Sequence, residues 1–228
     1  MKSFLVIGAG KFGHFLCKDL YSIGCDVLIA DESEEKMSDL LEYASASRIG
    51  DCTKRNVLAT FGVEAFDAAI VCLPEDFQDS LQIVDLLKEL NCPKVIAVAS
   101  TEVQAKFLRK NGADRIIFPE KDLSRRLAIT ASSDSIFDYF NISGDCSMYE
   151  ISAPSKWNGK SILEIDVRKR YGINVVAVKS PDGKVVMAGP GYVFNHNDHI
   201  LVVAESGAIN KIIDDKINNT KCTRETGC

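Results

Sequence analysis

Polar and hydrophobic positions along the chain follow two rhythms, with a change after Phe118. Up to that point short unbroken apolar runs alternate with longer stretches whose apolar residues return at helical spacing. The runs Phe4–Ile7, Val27–Ala30, Arg48–Ile49, Ala68–Cys72, Val95–Ala99 and Arg115–Phe118 predict buried strands. Phe12–Ser22, Glu34–Ala44, Phe77–Leu90 and Glu102–Asn111 predict the helices between them. In the first of these, Phe12, Phe15, Leu16 and Leu20 share one helix face. Strands that alternate with helices imply right-handed crossovers. The predicted fold class is therefore α/β, a Rossmann-like doubly wound parallel sheet.

Beyond Pro119 the spacing predicts a long helix from Glu120 to about Phe140, interrupted near Ser132-Ser133-Asp134, and then a break over Asn141–Asp145. The segments Tyr149–Ile151, Asn174–Lys179, Val185–Met187 and Ile200–Val203 then read as strands, with Pro181-Asp182-Gly183 as a turn. Ser161–Tyr171 reads as one short amphipathic helix. This second part is a small α+β lobe, modest for a catalytic domain of its own. A last helix, with Ile209, Ile212, Ile213 and Ile217 on its apolar face, leads into a polar tail.

The junction of the first strand and first helix carries chemistry. Gly8-Ala9-Gly10-Lys11-Phe12-Gly13 follows the strand directly, and each glycine has a distinct use. Gly8 allows a tight turn, Gly10 lets backbone approach a pyrophosphate, and Gly13 lets the helix pack closely. Free N–H groups at the helix start then face the phosphates. Asp31 closes the second run at the offset of a ribose-binding acid; it can accept from both hydroxyls of an unphosphorylated ribose and would repel a 2′-phosphate. The competing role for Asp31-Glu32-Ser33-Glu34 is a solvated helix N-cap region; Ser33 as the true cap would instead leave Asp31 free for the ligand. Gly8, Asp31, Asp51 and Pro74 all stand at carboxyl ends of predicted strands, where ligands of such sheets bind.

Composition narrows the function. A net charge of −5 without a basic stripe excludes nucleic acid as the main partner. No apolar run is long enough to span a membrane, and the N-terminal sequence lacks the regions of a signal peptide. The eight cysteines include no C-x-x-C pair, and most fall in apolar segments, as buried small hydrophobes in a reducing compartment would. Cys222 and Cys228 instead lie in the polar tail. His196-Asn197-Asp198-His199 lacks the further ligands a closed metal site needs and reads as a solvated loop.

The succession GAGKFG, IADESEEK, IGDCTKRNVL, GADRIIFPEKD and SILEIDVRKRYGINVVAVK resembles, over nearly the whole chain, the RCK (KTN) proteins. These are cytosolic gating subunits of potassium channels and transporters, of the KtrA and TrkA type. The resemblance implies an RCK N-terminal nucleotide-binding lobe over 1–133, with a crossover helix starting near 120, and a linker or helical crossover over 134–143. An RCK C-terminal lobe over 144–206 and a C-terminal helix and tail over 207–228 complete it. It further implies dimers assembled into a ring, bound to a membrane-embedded potassium-translocating subunit of the KtrB or TrkH type at the inner face of the cell membrane.

Site residues follow from the same resemblance. ATP or ADP, with NAD(H) as the alternative, is expected at Gly8, Gly10, Lys11, Phe12, Gly13, Asp31, Glu32, Asp51, Cys52 and Pro74. Lys11 stands where the family commonly has arginine; lysine keeps the charge and loses the bidentate fork, which bears on how ATP and ADP are told apart. Asp51 is expected near the adenine, with capping of the next helix by Asp51 or Thr53 as the competing role. Glu120 can help hold Mg²⁺ or Ca²⁺ against nucleotide phosphates, or serve only as an acid at a helix start. Asp166, Arg168, Gly172, Ile173, Asn174, Val175 and Pro190 match positions that line the cyclic di-AMP pocket of responsive members.

Two other functions fit the fold. An NAD-dependent dehydrogenase would need a base and a substrate domain, yet none of the three histidines (His14, His196, His199) stands beside an obvious partner. An orphan nucleotide sensor would regulate some process other than potassium transport. The sequence favours a non-catalytic, ligand-gated regulator.

Overall fold

The computed structural model describes residues 1–205 and 207–212; Ile213, Ile217, Cys222 and Cys228 lie outside them. Two compact units part between Asp122 and Leu123. In the first, the elements are β1 (Ser3–Ile7), α1 (Lys11–Ser22), β2 (Asp26–Asp31), α2 (Glu34–Met37), β3 (Ala46–Ile49), α3 (Arg55–Ala59), β4 (Ala68–Val71), α4 (Phe77–Glu89), β5 (Val95–Val98), α5 (Glu102–Lys110) and β6 (Arg115–Ile117). The strands form one parallel sheet in the order β3-β2-β1-β4-β5-β6. The order reverses between β1 and β4, and a crevice opens beyond the carboxyl ends of the strands at that point. Both faces of the sheet are covered. Leu5, Ile7, Val71, Ile83 and Leu87 belong to one apolar layer, and Val6, Cys17, Ile29, Ile70 and Met37 to the other. Alternate residues of β1 thus feed opposite layers, as the pleat requires.

The helix expected over Glu34–Ala44 is shorter. α2 ends at Met37 and a 3₁₀ turn, Ser38–Leu40, follows, so only Met37 and Leu40 are buried in this stretch.

α6 (Pro119–Ala131) ends at the Ser132-Ser133 break. The expected continuation of this helix to Phe140 is wrong: 136–143 is a strand. β7 (Ile136–Ser143) and β8 (Cys146–Ser152) make a hairpin; of the segment read as a break, Asn141–Ser143 finish β7 and only Gly144-Asp145 form the closing turn. The lobe continues through α7 (Ile162–Ile165), α8 (Val167–Tyr171), β9 (Ile173–Lys179), β10 (Val185–Met187) and β11 (His199–Glu205), and 207–212 are helical. Its antiparallel sheet has the order β10-β9-β11-β8-β7. Trp157, Tyr171, Phe194, Ile151 and Ile200 fill the core beside it. The single helix expected over Ser161–Tyr171 is two: Asp166 adopts a left-handed conformation (φ +53°) and breaks it. A capping box between Ser161 and Glu164 starts α7. His199 is the first residue of β11 and not part of a solvated loop; it is half-buried, with Nδ1 3.0 Å from Glu150 Oε1 and its ring stacked on Phe137 at 3.9 Å.

Candidate nucleotide site

The glycine turn is built as its spacing requires. Gly8 has φ +100°, and a Cβ there would lie 2.8 Å from the Cys72 carbonyl oxygen. At Gly13 a Cβ would come within 1.9 Å of the Gly8 carbonyl oxygen, so the helix start closes directly on the turn. Gly10 is different: a Cβ there meets no protein atom. Its backbone borders open space, and no side chain caps α1, in contrast to α2, capped by Ser33, and α5, capped by Thr101. The first-turn N–H groups of α1 are thus left without a capping acceptor.

A cavity of about 510 Å³ opens beside this turn. Of the residues predicted to bind the nucleotide, Gly8, Asp31, Glu32 and Cys52 line it. Asp31 is buried, and its carboxylate is already engaged: Oδ2 accepts from the Ala9 N–H at 2.7 Å and Oδ1 from the Ser33 N–H at 2.9 Å. The expectation that Ser33 caps the helix and leaves Asp31 free is thus half met. Ser33 does cap α2, accepting from the Lys36 N–H, while Asp31 holds the two adjoining turns in place. Each of its oxygens keeps a further lone pair for a ligand hydroxyl.

The remaining predicted residues stand off the cavity wall. Lys11 is exposed at the first position of α1, and Phe12 packs into the second apolar layer. Asp51 turns back on its own loop, where it accepts from the N–H and hydroxyl of Thr53 and pairs with Lys54 at 3.3 Å. Those bonds from Thr53 hold its carboxyl below the usual carboxylate range. Its side chain is spent locally, while the neighbouring Gly50, Cys52 and Thr53 line the cavity. Pro74 points its carbonyl toward Ser100 and Gln104. Burial pushes the Cys52 thiol up to about 12, so it presents a neutral, apolar surface. Glu120 is exposed in the first turn of α6, and among the described residues no group of three His, Cys, Asp or Glu side chains is placed to hold a metal by itself.

The cavity also contains residues that the sequence reading passed over: Lys36, Asp76 and Asp79. Asp76 and Asp79 stand at the start of α4, beyond the carboxyl end of β4, and the strand-end rule applied there would have found them. Lys36 gave no such signal within its acidic surroundings. Four carboxylates (Asp31, Glu32, Asp76, Asp79) therefore face one lysine.

In the second unit, Asp166, Arg168, Ile173, Asn174, Val175 and Pro190 all line one groove of about 370 Å³. Gly172 is outside it, beside a separate cavity bordered by Tyr171 and Lys211.

Comparison with known proteins places this architecture. The TrkA-N domain model matches residues 4–119, and the TrkA-C domain model residues 146–215. The chain belongs to the TrkA/Ktr family. It is 36% identical to Ktr system potassium uptake protein C of Bacillus subtilis (strain 168) over 96% of this chain and 99% of that protein. It is 33% identical to Ktr system potassium uptake protein A of the same organism, over 92% and 95%. Among solved structures, the GsuK channel bound to NAD aligns with 93% of this chain at a TM-score of 0.67 and 20% identity. The GsuK RCK domain does so at 0.65 and 19%. This TrkA/Ktr chain spans less than half of either structure's chain, 39% and 47%, and shares their fold. No helix among its described residues is long and apolar enough to cross a membrane.

Proposed function

We propose that this protein is the cytosolic, non-catalytic regulatory subunit of a potassium-uptake system, self-associating as dimers in a ring beneath a membrane-embedded potassium-translocating subunit. The observation that carries the reading is the open cavity bordered by Gly8 of the glycine turn and by Asp31, within a chain that matches Ktr proteins over nearly its full length. Backbone N–H groups there suit phosphates, and Asp31 suits ribose hydroxyls. The cavity's carboxylates disfavour a 2′-phosphate, which leaves ATP, ADP or NAD(H). ATP or ADP is the ligand we favour, with Lys11 as a counter-charge and with Mg²⁺ or Ca²⁺ held against the phosphates by Glu120. NAD(H) is the second reading, supported by the NAD-bound GsuK channel of the same fold. Cyclic di-AMP is assigned to the groove of Asp166, Arg168, Ile173, Asn174, Val175 and Pro190, where Arg168 offers a guanidinium to phosphate and Asn174 a donor and an acceptor to adenine.

Titration calorimetry of the purified protein with ATP, ADP and NADH side by side tests the first site. Saturable heat from an adenine nucleotide supports it, and none from any of the three overturns it. Co-purification with a potassium-translocating membrane protein, and restored potassium uptake when both are supplied, supports the gating role. Nucleotide binding without either result would leave an orphan sensor, and hydride transfer to any substrate would favour a dehydrogenase.

A further inference from the structure

Phosphates against the glycine turn and a ribose against Asp31 leave the base of a bound nucleotide to the rest of the cavity wall, where the loop after β3 meets α4. Gln82 joins those two elements, its Nε2 donating to the Thr53 carbonyl at 2.9 Å. Cys52 and Thr53 line one side, and Leu73 and Ile83 the other. Ile83 is buried and the Cys52 thiol is neutral, so the surface offered to a ring is largely apolar. An apolar slot accepts any flat base. Which base it prefers is read by hydrogen bonds at the edge of the ring.

Asp51, the carboxylate expected near the adenine, is bound to Thr53 and Lys54 and stands off this wall. Two backbone carbonyls of the region are also engaged: Leu73 accepts from the Ser80 hydroxyl at 2.7 Å, and Thr53 from Gln82. Asp79 is placed differently. It lies one helical turn before Ile83 on the same face of α4 and is half-buried on the cavity wall. Among the described residues it has no hydrogen-bond or ion-pair partner. Asp76, a further turn back, is exposed. An ionised carboxylate only accepts hydrogen bonds, so it suits the exocyclic amine of adenine and repels the carbonyl that replaces that amine in hypoxanthine.

We propose that Asp79 is the specificity-determining residue for the base, accepting from the adenine amine in place of Asp51. The proposal rests on the reading of this cavity as an adenine-nucleotide site and adds which side chain selects the base. It holds for ATP, ADP and NAD(H) alike, since all carry the same amine. Calorimetry of the full chain with ADP and inosine diphosphate, and with NADH and its hypoxanthine analogue, isolates that group. Within each pair the two ligands differ only at the exocyclic group and the adjoining ring nitrogen.

The parent protein should bind the adenine member of a pair about tenfold tighter, the worth of one hydrogen bond to a charged group. Asp79→Asn keeps an acceptor oxygen and adds an amide donor for the carbonyl, so the preference should shrink to about twofold or less. Asp79→Ala should lose the preference as well. Glu75→Gln removes an exposed charge just before α4, off the cavity wall, and should leave the preference unchanged. If Asp79 served only as an acid at the start of α4, its variants would lower the unfolding temperature and keep the base preference intact. That result would overturn the proposal. So would equal binding of both members by the parent protein, tighter binding of GDP than of ADP, or a preference removed by Asp76→Asn and not by Asp79→Asn. Adenine and hypoxanthine ligands bound equally would still leave the cavity a nucleotide site, whereas no heat from any of them would remove that reading too.

Discussion

The Asp31 carboxylate accepts the Ala9 N–H at 2.7 Å, joining the end of β2 to the middle of the glycine turn. One buried side chain thus borders the cavity and fixes the turn that shapes it. Asp31→Ala leaves the Ala9 and Ser33 amides without their acceptor and should cost about 2–3 kcal/mol in urea unfolding. Asp31→Asn keeps one acceptor oxygen and should cost about 1 kcal/mol. Nucleotide affinity should fall sharply in both. Full affinity in a folded Asp31→Asn protein would remove Asp31 from the ligand's contacts.

The glycines separate structure from binding. Gly13→Ala would drive a Cβ against the Gly8 carbonyl oxygen, which is backbone and cannot swing aside. It should destabilise by about 2–3 kcal/mol or more, measured by thermal or urea unfolding. Gly10→Ala meets only open space at φ −66° and should cost no more than about 1 kcal/mol, yet weaken nucleotide binding by placing a methyl where phosphate oxygens would approach. If Gly10→Ala binds ATP and ADP normally, the phosphates lie elsewhere.

How legible this was in the sequence depends on how local each signal is. The sheet, Gly8, Gly13 and the Ser33 cap were legible because each rests on spacing over a few residues. β7 was not. Only Ile136 and Tyr139 of that strand are buried, and a bulge between Ile136 and Asp138 separates them by three positions, which imitates a helix face. The left-handed Asp166 inside an apparently continuous helical pattern was hidden for a related reason, since its apolar neighbours keep helical spacing across the break. At the site, Asp31 was legible as a residue at a strand end. Its bonds to Ala9 and Ser33 depend on how β1 and β2 register, and Asp51's turn toward Thr53 on one side-chain torsion.

Glu150 gives the second unit an acid-sensitive tie. Burial opposes its charge, but hydrogen bonds with His199 and Lys179, both 3.0 Å away, outweigh burial and hold its carboxyl below the usual carboxylate range. A carboxyl depressed in the folded state contributes stability above its unfolded pKa and loses it as pH falls through the folded value. Glu150→Gln should therefore cost about 1–2 kcal/mol at neutral pH, with the gap to the parent protein closing below about pH 4. Unfolding curves of the two proteins across that range measure it. A gap that persists undiminished in acid would show that shape, and not charge, supplies the stability.

Lys11 bears on the proposed switch. It is exposed at the first residue of α1, off the wall of its own cavity, so under the proposed nucleotide binding it would act on the terminal phosphates. ATP and ADP differ at that end by a phosphate. If the terminal phosphate meets Lys11 in only one arrangement of the proposed dimer, ATP would bias the proposed ring by the difference in its affinity for the two arrangements. Lys11→Ala should then weaken ATP about tenfold and ADP about twofold or less, because a single charge-assisted contact is worth about 1–2 kcal/mol. Lys11→Arg restores the fork and should sharpen the preference for ATP. Calorimetry with both nucleotides on the three proteins reads the difference directly. Equal losses for ATP and ADP, or none, would mean that the phosphate count is sensed by some other group.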